Sequence, residues 1–437
     1  MCYCRYTTFF IIVSSGSKYA EYLGGSTTFS GLVIGVPTVF SGLSLIFMVR
    51  YDEGRYKMPL QVACVAAILG NILYGLAYQA KFLYLILIGR IVMGIAFTNF
   101  LYTKRYCSDP RLVGVRRRTT LAGWLVVGQS TGFTVGPFVG GLLYKIGFKN
   151  ETFNGYTSPG WLMACCWLAF GAFVTLFLED VPRTTSLLSS TDSIPLDTRQ
   201  PSPRRSEEGI AEVRRSLDIP RARRPTPTTT PTTPSAAPEF SSISPRQWAV
   251  IATMCWFAMT CFFVLGAWEV NIPVYTAAAL GWTPFAAGNV IALGGVCTFP
   301  FMFANVLFAR RVQDRHLLAL GSALGLAGLL ATLGVLAAGQ MRFGTLFACW
   351  FLVALGFNLA STVTLSLLSK QMPHAWNGKM SLAIQYSNFT GRVTGAVWGG
   401  ASVQVGMMPY LGLQIAFLGI GALMFMTMWR ELKAKKG

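Results

Sequence analysis

The chain has 437 residues, 53% hydrophobic and only 12% charged, about half the charged fraction of a soluble domain, so it cannot cover its own surface in water. Its net charge of +19, from 36 Lys and Arg against 17 Asp and Glu, would suit nucleic acid if the cations formed one patch. Instead they come in short bursts between apolar runs, the pattern of loops in a polytopic membrane protein, and this excludes a nucleic-acid partner.

A helix that crosses a bilayer needs about 20 mostly apolar residues. The first stretch, MCYCRYTTFFIIVSSGSKYAEYL, holds an apolar core, TTFFIIV, too short to span alone. It reads as a first helix that lacks part of its natural beginning, rather than one polar toward its far end. A cleaved leader is disfavoured, because no small-residue cleavage pattern precedes a soluble domain. Spanning segments follow at 27–49, 58–80, 83–103, 119–145 and 160–179, then at 247–275, 284–308, 316–338, 344–368, 379–402 and 409–429.

Between the two groups, residues 181–246 include RRPTPTTTPTTPSAAPEF, too rich in proline and threonine to pack a core. The expected organisation is an N-terminal membrane half over 1–180, a cytoplasmic linker over 181–246, a C-terminal half over 247–429 and a basic tail over 430–437. Ser202-Pro203, Ser244-Pro245 and the basic run before Ser216 are candidate phosphorylation sites; an unmodified tether explains them equally well.

Basic clusters occupy every second loop: Arg50, Arg55 and Lys57; Lys104, Arg105, Arg111 and Arg116 to Arg118; Arg310, Arg311 and Arg315; Arg430, Lys433, Lys435 and Lys436. The positive-inside rule puts these loops in the cytoplasm. The sequon Asn150-Glu151-Thr152 then falls on the opposite side, where glycosylation can reach it. Asn388-Phe389-Thr390 has the same pattern inside a helix and reads as a false match. Cys64, Cys165, Cys166, Cys255, Cys261, Cys297 and Cys349 lie in apolar segments without metal-ligand spacing and read as small hydrophobes. His316 and His374 stand alone near loops. No HExxH, GxSxG or Walker loop is present, so the pattern points to neither enzyme, metal nor cofactor.

Two stretches echo one another: GQSTGFTVGPFVGG at 128–141 and SNFTGRVTGAVWGG at 387–400. Glycine and proline are poor inside soluble helices, but small residues let membrane helices touch backbone to backbone. Gly132, Gly136, Pro137, Gly140 and Gly141 reproduce the GxxxGPxxGG pattern of the fifth helix of the major facilitator superfamily (MFS). Gly391, Gly395, Gly399 and Gly400 repeat it on helix 11, with Ala396 at the proline's place. The loop FMVRYDEGRYK resembles that family's gate loop GxxxDRxGRR, keeping Gly54 and Arg55 with the acids Asp52 and Glu53 displaced. IGRIVMG resembles the family's membrane-embedded arginine followed by glycine. GRIVMG followed by KRYCSDP looks most like the lysosomal and vacuolar branch, which includes a ceroid-lipofuscinosis membrane protein and the SPX-containing phosphate transporters. The 437 residues hold no SPX domain, so the resemblance does not by itself imply phosphate.

The resemblance implies an all-α integral membrane fold of two six-helix halves related by a pseudo-two-fold axis. It also implies alternating access to a small solute near the bilayer midplane, by symport or antiport, without a cofactor. A monomer is compatible with it, and the vacuolar or lysosomal membrane is favoured over the plasma membrane.

Ionisable groups inside spans are costly and mark function. Arg90 on helix 4 and Arg392 on helix 11 each lie about 13 residues, roughly 20 Å, from the cytoplasmic face. They could clamp an anion between the halves, or bind carbonyls and carboxylates structurally. Gln385, Asn388 and Arg392 share one helical face that would line a wet cavity. Glu269 is the clearest carboxylate of the C-terminal spans, expected near the non-cytoplasmic mouth; it reads as a coupling-proton site, a gate partner of Arg90 or Arg392, or a solvated side chain. Asn99, Gln129 and Asn358 are weaker pathway candidates, explained equally well by helix–helix hydrogen bonds. The repeated glycines are expected to mark paired helices at the moving seam, with Pro137 permitting a bend. The first reading is a secondary transporter of a small anionic solute, with proton coupling as an option. An anion channel on the same scaffold is the alternative, and a non-transporting receptor or scaffold acting through the linker is the third.

Overall fold

A computed structural model describes residues 2–51, 56–108, 115–178, 244–308, 312–372 and 376–433. The gate-loop residues Asp52, Gly54 and Arg55, and nearly all of the 181–246 linker, lie outside the described residues. Within them the regular elements are all helices: α1 Cys2–Phe10, α2 Gly16–Tyr22, α3 Thr27–Tyr51, α4 Lys57–Ala80, α5 Leu83–Ala96, α6 Asn99–Ser108 and α7 Val115–Ile146. There follow α8 Ser158–Phe177, α9 Pro245–Leu280, α10 Pro284–Phe308, α11 Asp314–Ala337, α12 Phe343–Gln371, α13 Asn377–Val405 and α14 Met407–Met428. Helices from both sides of the linker belong to one compact unit.

Among the described residues nine helical stretches are long and apolar enough to cross a membrane, one of them being α5 continued into α6 over Leu83–Thr103. Of the remaining helices, α7 and α13 have the length, 32 and 29 residues, but carry the glycines, hydroxyls and arginine that lower their hydropathy. Those two make the tightest backbone contacts. A Cβ at Gly136 would lie 2.6 Å from Phe10 Cβ and 3.0 Å from the Ile11 nitrogen, and Gly132 and Gly140 likewise abut Tyr6 and Ile11. In the same register on α13, Gly391, Gly395 and Gly399 abut the Met259, Phe263 and Ala267 carbonyls of α9. The expectation that all the glycines line the seam between halves is therefore corrected. Spaced four apart, three of each set share one helix face and join α7 to α1, and α13 to α9.

Only the last glycine of each set, one position on and so turned to another face, reaches across. A Cβ at Gly141 would sit 2.9 Å from Phe285 Cα on α10, and one at Gly400 2.7 Å from the Thr27 carbonyl of α3. The partners answer in kind: Gly288 of α10 faces the Pro137 carbonyl, and Gly31 of α3 faces the Ala396 carbonyl. Ala396 stands where the first motif has its proline, so the two seams are equivalent. Further along, they are made by side chains. Gly42 of α3 meets the rings of Tyr386 and Phe389, and Gly295 of α10 meets Thr134 and Phe133.

The expected span 83–103 and the short first stretch are both interrupted. The stretch 83–103 breaks between α5 and α6 at Phe97 and Thr98, where the Thr98 hydroxyl donates to the Ile95 carbonyl at 2.7 Å and lies 3.1 Å from Met48 Sδ. The first stretch forms α1 and α2 joined through residues 11–15, with helical bonds such as Ile11 N to Thr7 O at 2.8 Å kept across the join. Phe9 to Val13 are all buried there, against α7. The short apolar core is an interior element, screened from lipid by its neighbours.

α9 is the longest helix, at 36 residues. Ser244 caps it, its hydroxyl accepting from Gln247 N while the Gln247 side chain returns to Ser244 N, with Pro245 in the first turn. Gly281, at φ 63°, ends it.

Candidate functional site

Pro37 lies inside α3 and has no N–H for the carbonyl four residues back, that of Val33. Arg90, on α5, takes that place: its Nε donates to the Val33 oxygen at 3.2 Å. The side chain is buried, 2% exposed, and Nη2 has no hydrogen-bond partner among the described residues. No carboxylate is within ion-pair reach of Arg90 among them.

Arg392, on α13, donates from Nη2 to Glu269 Oε2 of α9 at 2.5 Å, with side chains 16% and 3% exposed. The α9–α13 glycine track holds these helices close enough for the pair, and Gly266 of α9 lies against the Arg392 backbone. Pro273 cannot donate to the Glu269 carbonyl, which loosens α9 where the carboxylate sits. Glu269 thus pairs with one of the two arginines proposed for it, but its expected position is corrected. It lies about 11 residues, roughly 17 Å, before the far end of α9. Arg392 lies about 13 residues, roughly 20 Å, before the end of α13. Both lie about three turns or more inside their helices. The expected end at 275 had placed the mouth too close.

One ring joins the two arginines. The Phe9 centroid is 5.8 Å from Arg90 Cζ and 4.6 Å from Arg392 Cζ, and Arg392 is also 5.3 Å from the Phe10 centroid. The ring faces supply partial negative charge to cations removed from water. From Phe10 an aromatic path runs to Phe133 of α7 at 4.8 Å, to Trp350 of α12 at 6.3 Å and to Trp268, beside Glu269, at 6.0 Å. Trp268 Nε1 donates to Gln414 Oε1 at 3.0 Å; Trp350 Nε1 is buried without a partner among the described residues.

The polar stripe of α13 is partly engaged. Gln385 and Asn388 are half-buried, and Asn388 Oδ1 is enclosed without a partner among the described residues. Asn358 and Asn99 bond within their own helices: Asn358 Nδ2 donates to the Ala354 carbonyl at 2.7 Å, and Asn99 Oδ1 accepts from Thr103 at 2.7 Å. The Gln129 side chain lies outside the described residues. Asn150 is exposed, and its Oδ1 accepts from Thr152 N at 3.1 Å. Beside that loop, burial and the Tyr144 phenol push the Tyr156 hydroxyl above the ordinary tyrosine range.

Sequence reasoning missed Phe9, Phe10 and the Val33 carbonyl. A proline inside a span is the signal for the last, since it frees the carbonyl four residues earlier.

The charges are unequal. Arg392 is matched by Glu269, whereas Arg90 is a buried cation matched by one carbonyl and one ring. Uncompensated charge in such surroundings costs several kcal/mol, which a bound anion would offset.

The family model described as Major Facilitator Superfamily matches residues 2–396. An uncharacterized MFS-type transporter of Schizosaccharomyces pombe is 28% identical over 434 residues, 97% of this chain and 79% of that protein. An SPX domain-containing membrane protein of Arabidopsis thaliana is 33% identical over 177 residues, 40% of this chain and 25% of its own. Among solved structures, a D-xylose–proton symporter superposes with a TM-score of 0.68 at 15% identity, covering 100% of this chain and 96% of the other. A bacterial homologue of the human lysosomal transporter Spinster, inward-facing, gives 0.67 at 13% identity with the same coverage. With its membrane helices, paired glycine tracks and a family match that runs from α1 into α13, this multi-pass membrane protein belongs to the Major Facilitator Superfamily, a family of secondary transporters.

Proposed function

We propose that the chain moves a small anionic solute across the membrane by alternating access, with Arg90 as the resident anion anchor and the Glu269–Arg392 pair as the coupling switch. The observation that carries this reading is the buried Arg90 Nη2, unpartnered among the described residues and beside the ring that also carries Arg392. A carboxylate or phosphate on Nη2 would neutralise the charge left over. Its second oxygen could then compete with Glu269 for Arg392, and a proton taken by Glu269 would favour that exchange. Solute and proton would enter together and leave together, the solute bridging α5 and α13. Only a ligand that prefers one conformer shifts the balance between them, and an anion spanning both arginines does so.

The arrangement of two membrane halves around a cytoplasmic linker, glycosylation at Asn150 and placement in a vacuolar or lysosomal membrane belong to the same reading. They rest on the basic-loop pattern, the exposed Asn150–Thr152 turn and the GRIVMG and KRYCSDP segments. The test is anion uptake into proteoliposomes under imposed pH and voltage gradients. Proton-driven, saturable uptake lost in Arg90→Gln supports the carrier. Anionic current independent of the proton gradient would make the protein a channel, and unchanged flux in Arg90→Gln and Arg392→Gln would return both arginines to structural duty.

A further inference from the structure

The start of α9, the end of α12 and the turn after α14 meet around a cavity of about 460 Å³, on the face that the basic loops assign to the cytoplasm. Arg246, Arg430 and Lys433 line it, with a single carboxylate, Glu431. That carboxylate is engaged by Arg246 at 3.4 Å, in a pair with side chains 80% and 45% exposed, too solvated to hold much energy. Neither Arg430 nor Lys433 has an ion-pair partner among the described residues. Two cations are therefore left over. Hydrogen-bonding groups stand beside them: the Ser244 hydroxyl and the Gln247 amide, whose Nε2 reaches the Gln371 carbonyl only at 3.4 Å.

Depth narrows the ligand. Trp248, 41% exposed, is in the first turn of α9, and Trp429 directly follows α14. Tryptophans at both helix ends mark the headgroup layer, so the cavity opens at the level of lipid phosphates. A phosphodiester carries one negative charge, whereas a phosphomonoester carries about −1.5 to −2 near neutral pH and matches two unpaired cations. Juxtamembrane cations favour anionic headgroups of this kind.

We propose that this cavity binds a phosphomonoester, supplied by a lipid headgroup of the adjoining leaflet. Occupancy would tie the start of α9, the helix that carries Glu269, to the end of α14.

The experiment uses the full chain in phosphatidylcholine nanodiscs doped with phosphatidate or, for comparison, phosphatidylglycerol, with retained lipid counted by native mass spectrometry. The expected result is preferential retention of phosphatidate, weakened roughly fivefold for each cation removed in Arg430→Gln and Lys433→Gln. Lys149→Gln, on the opposite face, should leave it unchanged. Melting of each variant in pure phosphatidylcholine, equal to that of the parent, shows that the fold survives. Inorganic phosphate is the competing probe. Saturable displacement of the retained phosphatidate would place its phosphate in the cavity, while phosphate that binds the chain and leaves phosphatidate retention untouched would overturn the lipid as the source. Equal retention of the two lipids, or full retention in the Arg430→Gln/Lys433→Gln double variant, would overturn the site itself.

Discussion

Replacing Glu269 by Gln leaves its volume nearly unchanged and removes the negative member of the α9–α13 pair. Arg392, its side chain only 16% exposed, then keeps its charge with two aromatic rings as the remaining support. Breaking a buried pair from one side costs about 3–5 kcal/mol; partial exposure and the rings, worth about 0.5–2 kcal/mol each, put Glu269→Gln near the lower end. Arg392→Met should cost less, because a lone buried carboxyl can take up a proton while a guanidinium cannot shed one. The double variant Glu269→Gln/Arg392→Met, with neither charge, should return to within about 1 kcal/mol of the parent. Equilibrium unfolding in mixed micelles measures all four corners of the cycle. If the double variant costs as much as the two single variants added together, the two residues are not energetically coupled and the switch they form is wrong.

Arg90→Lys loses both the Val33 bond and the planar fork, and should lower anion uptake at least tenfold, read as initial rate in proteoliposomes. Pro37→Ala gives the Val33 carbonyl an N–H of its own helix; competition with Arg90 Nε should raise the KM for the solute severalfold without loss of expression. Gly395→Val places a branched side chain against the Phe263 backbone and should cost about 1–3 kcal/mol or more. Gly334→Ala, where an added Cβ meets nothing within 4 Å, should stabilise by up to about 1 kcal/mol; melting in detergent separates the two. Asn150→Gln should abolish a glycosidase-sensitive mobility shift in a eukaryotic host.

The membrane helices were legible because each needs a long apolar run and most runs end at clear signals, such as the Ser244 cap or Gly281 of α9. The glycine motifs were legible as packing surfaces but not in their direction. The face a glycine presents follows from helix rotation, and which neighbour waits there is a tertiary fact. Arg90 and Arg392 stood out because charge is rare in such segments. Glu269 stood out too, but its depth was misjudged by taking 275 as the end of a helix that runs to Leu280. The break at Thr98 depends on Met48, 50 residues away, and no local pattern announces it. Phe9 and Phe10 were passed over because a short apolar run carries no sign of the α7 face that covers it.

The two seams have a grain. Near the face opposite the basic loops they are backbone on backbone, at Gly31 with Ala396 and at Gly288 with Pro137. Toward the basic loops they are rings and hydroxyls, at Tyr386, Phe389, Phe133 and Thr134. Rotamer flips can part the second kind, on fast timescales, while the first parts only if whole helices slide. From Gly400 back to the start of α13 is about 23 residues, a lever of roughly 35 Å. A tilt of about 10° hung on the glycine end would swing its tip by roughly 6 Å, enough to admit a small solute, with the hinge side still shut.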